Sequence, residues 1–260
     1  MERDTQQPHV LARAAIILEA IASAGAAGAR LLDLAESTQL ARPTVHRILG
    51  TLKEIGYVRQ LENRRYLLDR RLGVLALAAP SPIDHISELQ ELAQDLADQL
   101  GDTVYMATRY FDGVYYLARA VGRFPIRAET VSVGDVLPLT MTYSGIAILS
   151  QLPEDQQEEL LSRLHQNEHH QWTEIGTEEH EQVLRRALTQ FRRDGYLYGS
   201  DYVIPGLSGA AILVPGAPGS PLVSLSVSAI HSRLPESRER EILAALRSTA
   251  RRVSRVFGGL

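Results

Sequence analysis

A chain of 260 residues, 45% hydrophobic and 22% charged, is long enough for two domains and too apolar for a disordered one. It has no cysteine, which excludes disulfides, thiolate catalysis and cysteine zinc sites and fits a cytoplasmic protein. The net charge of −4 hides an asymmetry: residues 42–71 hold eight basic side chains against three acidic ones, which marks either a nucleic-acid footprint or a solvated charged surface.

No run of eighteen apolar residues is present and the opening MERDTQQPHV is polar, so neither a membrane span nor a signal peptide is expected. From Val10 to Ala24, Leu11, Ala14, Ala15, Leu18, Ile21 and Ala22 recur at helical spacing, and Gly25 stops the run. LLDLAEST predicts a shorter helix with Leu31, Leu34 and Ala35 inward. After the connector Gln39–Ala41, Pro43 marks the first turn of a third helix, where its missing N–H costs nothing. Val45, Ile48, Leu49 and Leu52 form that helix's inward stripe, and Gly56 ends it.

Two short helices joined tightly after a longer one describe a helix-turn-helix. The outward face of the last carries Arg42, Thr44, His46, Arg47, Thr51 and Lys53, a set able to donate to phosphates and base edges. Arg47 is the candidate for a base edge, because its planar fork can bond one guanine twice. Thr44 suits a phosphate or a thymine methyl; His46 suits a phosphate or packing at the domain surface. Tyr57–Arg59 and Arg65–Leu68 predict a hairpin around Glu62–Arg64. Arg64 and Arg65 at its tip reach phosphates or merely keep an edge hairpin soluble.

Asp69–Ala79 is helical by period, with Leu72, Leu75 and Ala76 aligned, until Ala79-Pro80-Ser81-Pro82 stops it. Ile83–Leu100 is an amphipathic helix. Strands are expected at Thr103–Ala107 and Val114–Ala118, joined by a hairpin at Asp112-Gly113, and again at Ile126–Val131. Gly134–Pro138 reads as a loop and Thr142–Leu152 as a helix of small residues. Helices at Glu154–His165 and Glu178–Asp194, strands at Gly209–Val214 and Leu222–Ala229, and a long helix at Pro235–Phe257 complete the chain.

LARAAIILEAIA, LLDLAESTQLARPTVHRILGTLKEIGYV and RRYLLDRRLGVLA, followed by GDVLPL at Gly134–Leu139, Gly145-Ile146-Ala147, Asp194-Gly195-Tyr196 and Ser226-Val227-Ser228, resemble the IclR family of bacterial transcription regulators. The likeness runs over nearly the whole chain. It departs at Ala41-Arg42-Pro43, where small polar capping residues are common, and at Tyr143, which is bulky where small residues are usual. The resemblance implies an α+β protein. A winged helix-turn-helix at 9–69 would bind double-stranded operator DNA. A linker helix at 70–82 would lie near the subunit pairing, and a GAF/PAS-like effector domain would fill 83–260. It also implies a homodimer or tetramer and a small organic or aromatic acid effector.

Carried over by position, the effector cavity would be lined by Tyr143, Ser144, Asp201, Ala211, Ser226 and Ser228. Met106, Leu139, Met141 and Ile212 are expected as apolar walls. Ser226 and Ser228 alternate along a strand and share a face. Ser144 lies near a helix start, where open N–H groups favour a carboxylate. Each serine is equally readable as a buried hydroxyl satisfied by backbone. Asp201 suits a ligand hydroxyl or amine, or a local turn.

The sequence carries no nucleophile elbow, phosphate loop or zincin helix, so no enzyme is expected and no cofactor is assigned. His165, His169, His170 and His180 sit among glutamine, asparagine and glutamate and read as a solvated face rather than a metal site. The rival reading is a small-molecule sensor or enzyme whose N-terminal module binds protein instead of DNA.

Overall fold

The computed structural model describes residues 9–77, 81–127, 131–165, 177–216 and 220–258. The chain divides into two compact units, Met1–Pro80 and Ser81–Leu260.

The first unit opens with α1 (Val10–Ser23), α2 (Leu31–Ser37) and α3 (Arg42–Glu54). Its core gathers Ile17, Ile21, Leu34, Val45, Ile48, Leu49 and Leu52. The inward stripe of α3 is the expected one. That of α1 is not: Ile17 is fully buried, whereas Leu11 is 73% exposed, so the apolar face is rotated from the one drawn through Leu11 and Ala15. β1 (Val58–Gln60) and β2 (Tyr66–Leu68) form an antiparallel wing, with Val58 opposite Leu68. Paired N–H and C=O groups of Ala29 and Tyr66 form a separate bridge that ties the wing to the segment before α2. α4 (Arg70–Ala76), capped by the Asp69 carboxylate on the Arg70 N–H, buries none of its residues.

The second unit is a six-stranded antiparallel sheet. α5 (Ile86–Leu100) leads into β3 (Thr103–Tyr110), β4 (Gly113–Ala120) and the short β5 (Val136–Pro138). α6 (Tyr143–Leu149), α7 (Glu154–Ser162) and α8 (Thr177–Asp194) come next. β6 (Leu197–Ser200), β7 (Leu207–Leu213), β8 (Val223–Ile230) and α9 (Glu239–Val256) end the fold. The sheet order is β5-β4-β3-β8-β7-β6. α5 and α9 cover one face, while α6, backed by α8, covers the other.

Two expectations fail at the sheet edges. Ile126, Arg127 and Val131 are not in a strand, and residues 128–130 lie outside the described residues. The edge is β5, within the segment read as a loop; it ends on Pro138, which an edge strand accepts because no ladder N–H is needed there. β6 at the other edge is a four-residue strand that went unrecognised after Gly195. His180 is buried on the inner face of α8, not solvated, and His169 and His170 lie outside the described residues.

Candidate functional site

α3 presents Arg42, His46, Arg47 and Thr51 to solvent, with Thr44 half-buried. No side chain caps its N-terminus; Thr44 and Val45 donate their N–H groups to the Ala41 carbonyl at 2.8 and 3.1 Å. At the other end the Arg71 guanidinium donates to the Ile55 carbonyl at 3.0 Å, bracing the helix against α4. In the wing, Arg64 is exposed at the tip in the left-handed region (φ 63°). Arg65 is turned inward instead, donating to the Gly28 carbonyl at 2.7 Å. The tip cation is therefore Arg64, while Arg65 helps anchor the wing. Arg59 and Lys53 add exposed positive charge beside this surface.

In the second unit, register brings distant residues onto the α6 face of the sheet. Tyr105 and Ala211 both pair with Ser226, one from each side of β8. Ser144, on the first turn of α6, shares a 2.8 Å hydrogen bond with Ser226. Thr142 caps α6 by accepting the Gly145 N–H at 2.9 Å. Tyr143 donates from its hydroxyl to the Gly199 carbonyl at 3.0 Å, and its ring lies 5.7 Å from that of Tyr202. Asp201 accepts the Gly206 N–H at 2.8 Å and faces the His231 Nε2 at 3.0 Å. Its backbone is left-handed, φ 61°, which the turn requires.

The family comparisons agree across the length of the chain. The model described as the IclR helix-turn-helix domain matches residues 10–62, and that of the bacterial transcriptional regulator IclR C-terminal matches residues 78–255. The chain belongs to the IclR family. The transcriptional repressor IclR of Escherichia coli is 26% identical over 98% of this chain and 92% of its own. A crystal structure of an IclR regulator from Silicibacter superposes with TM-score 0.67 at 21% identity, covering 97% of each chain. An IclR homolog from Microbacterium hydrocarbonoxydans, crystallised with 4-hydroxybenzoate, superposes with TM-score 0.53 at 22% identity, over 95% of this chain and 98% of that one.

As an IclR-family protein the chain is a DNA-binding transcriptional regulator with a C-terminal ligand-binding domain, not an enzyme. The pleat corrects part of the cavity drawn from sequence. Met106 and Ile212 pack into the core under α5 and α9, on the opposite face of the sheet from Ser226 and Ala211. Side chains alternate along a strand, so Met106 cannot line a cavity on the α6 side, the face on which its neighbours Tyr105 and Ala107 pack. Leu139 is buried on the α6 side, Met141 is half-buried beside it, and Ser228 is half-buried two residues along β8 from Ser226. The argument from open N–H groups at the start of α6 weakens, because Thr142 already takes one of them. Thr142, Tyr116 and Tyr202 were not anticipated. Thr142, a threonine directly before a helical run, carried the usual signal of an N-cap.

Burial pushes the phenols of Tyr116 and Tyr143 well above their ordinary value of 10.0, although hydrogen-bonding neighbours pull the other way. Both stay neutral in the fold at a pH where the unfolded chain ionises. Their contribution is complete below about pH 10 and is lost as the pH rises beyond it. Denaturant titrations across that range should show stability falling steeply, and less steeply once both tyrosines are replaced by phenylalanine. An unchanged slope in the double variant would refute the assignment.

Proposed function

We propose that α3, with Arg47 on a base edge and Arg42, Thr44, His46, Thr51 and Arg64 around it, binds operator DNA as part of a symmetric pair of chains. A small organic or aromatic acid held on the α6 side of the sheet then shifts operator affinity. The observation that carries this reading is the helix itself: it buries its aliphatic stripe and leaves guanidinium, imidazole and hydroxyl groups in solvent. Pairing is supported by α4, where Val74 and Leu75 are 64% and 50% exposed, an apolar surface suited to a second copy. An aromatic acid is supported by the 4-hydroxybenzoate bound to the Microbacterium relative.

Selection of bound fragments from random DNA, followed by titration, tests the first half. Arg47→Ala should weaken cognate binding by about 1–3 kcal/mol and relax the preference at one base position. Equal losses on cognate and random DNA would reduce Arg47 to a phosphate contact. For the second half, organic acids that raise the melting temperature are titrated against operator affinity. An acid that stabilises the protein and leaves DNA binding unchanged removes the regulatory claim, since a ligand shifts an equilibrium only by its differential affinity for the two states.

A further inference from the structure

We propose that the Tyr143 side chain is a built-in occupant of the effector site and sets its chemistry: a ligand enters by replacing that ring, with a neutral aryl hydroxyl leading. The proposal rests on the reading above that effectors bind on the α6 side of the sheet. Gly199 and Gly209 pair across β6 and β7, so two positions without side chains adjoin. A β-carbon on Gly209 would lie 2.6 Å from the Tyr143 ring, and one on Gly199 would lie 2.7 Å from the Tyr202 hydroxyl. The two glycines thus make a recess floored by backbone, filled by the Tyr143 ring over Gly209 and by the Tyr202 hydroxyl end over Gly199. Its hydroxyl donates to the Gly199 carbonyl at 3.0 Å and lies 3.4 Å from that of Leu207.

That hydroxyl donates to carbonyls, while backbone hydrogen bonds at Tyr202 and Gly209 favour its oxygen as an acceptor. A phenolic hydroxyl satisfies both kinds of partner, whereas a carboxylate would set its oxygens against the Gly199 and Leu207 carbonyls. Burial also disfavours charge there, so an aromatic acid enters hydroxyl first, with its acid group away from the glycine floor. The neighbouring serines are satisfied in the same state, Ser144 by Ser226, so the site is complete without any external ligand.

Tyr143→Ala opens the recess, and 4-methylphenol is the probe, because it carries the hydroxyphenyl ring that alanine lacks. Thermal melting with and without the probe reads the result. At about tenfold excess over its Kd, 4-methylphenol should raise the melting temperature of Tyr143→Ala by about 3–6 °C. Toluene, which has the shape but no donor, should raise it less. The wild type and Tyr143→Phe, whose rings keep the recess full, should move with neither. A folded Tyr143→Ala that responds to 4-methylphenol no more than the wild type does would overturn the proposal. If the variant is unfolded alone, refolding in the presence of 4-methylphenol replaces melting: recovery supports occupancy and no recovery overturns it. Operator affinity of Tyr143→Ala is titrated in parallel. Stabilisation without a change in operator affinity keeps the occupancy and sinks the regulatory reading instead.

Discussion

Asp102→Ala is expected to destabilise the ligand-binding domain by about 3–5 kcal/mol, the usual cost of stripping one partner from a buried ion cluster. The Asp102 side chain is 1% exposed and faces two arginines. Arg233 donates from Nε and Nη2 at 2.9 and 3.1 Å, and Arg238 donates from Nη1 at 3.1 Å. Both guanidiniums also reach the Leu100 carbonyl, at 3.0 and 3.2 Å, and that of Arg233 lies 4.5 Å from the Phe124 ring centroid. The cluster clamps the end of α5 to the approach to α9, the two helices that cover one face of the sheet. Alanine would leave two half-buried cations facing each other, Arg238 still paired with Glu241 at 3.2 Å but Arg233 with no carboxylate, only the Leu100 carbonyl and the Phe124 ring. Asp102→Asn keeps the shape but turns an amide N–H2 toward a guanidinium, so it should also lose most of the stability. Urea unfolding measures both. The Asp95–Arg252 pair has a slightly shorter contact, 2.8 Å, but its side chains are 60% and 50% exposed; Asp95→Ala should cost at most about 1 kcal/mol. A similarly small loss at Asp102 would show that solvent reaches the cluster and that burial is not what makes it matter.

The contrast between those two pairs marks what a sequence conveys. The recognition helix was legible because its signals are local: proline in the first turn, four aliphatic residues at helical spacing and basic residues between them. The stripe of α1 misled because alanine fits either face, so Leu11 and Ala15 were as plausible as Ile17 until α2 and α3 packed against the helix. On the α6 side of the sheet, apolar character was legible in the sequence and parity was not. Met106 is as apolar as a cavity wall should be, yet it lies one residue off the face that holds Tyr105 and Ala107. Which parity faces α6 is fixed by the pairing of Tyr105 and Ala211 with Ser226, a long-range register no local pattern encodes. Asp102 meets arginines 131 and 136 residues away, and Tyr143 finds its acceptor 56 residues on, so neither contact could be drawn in advance.

Gly145→Ala should cost about 3 kcal/mol, the upper part of the range for overpacking, with more if α6 cannot shift. A β-carbon there would fall 2.3 Å from the Leu139 carbonyl oxygen and 2.8 Å from the Leu139 carbonyl carbon and Cα. These are backbone atoms, so no rotamer change relieves the clash. Either the turn at Leu139–Met141 moves or α6 does, and all seven residues of α6 are buried. Moving α6 also carries Tyr143 away from Gly199 and Ser144 away from Ser226, so lost stability and lost ligand response should appear together. Gly50 offers the opposite case. It lies within α3, on the exposed side, and a β-carbon there meets nothing within 4 Å. Gly50→Ala should therefore stabilise the first unit by about 0.5–1 kcal/mol through helix propensity alone. Chemical denaturation of the two variants decides the matter: the same methyl group must act with opposite sign. If Gly145→Ala proved neutral, the close approach of α6 to Leu139 would not be what demands glycine, and the positions of Tyr143 and Ser144 would need another cause.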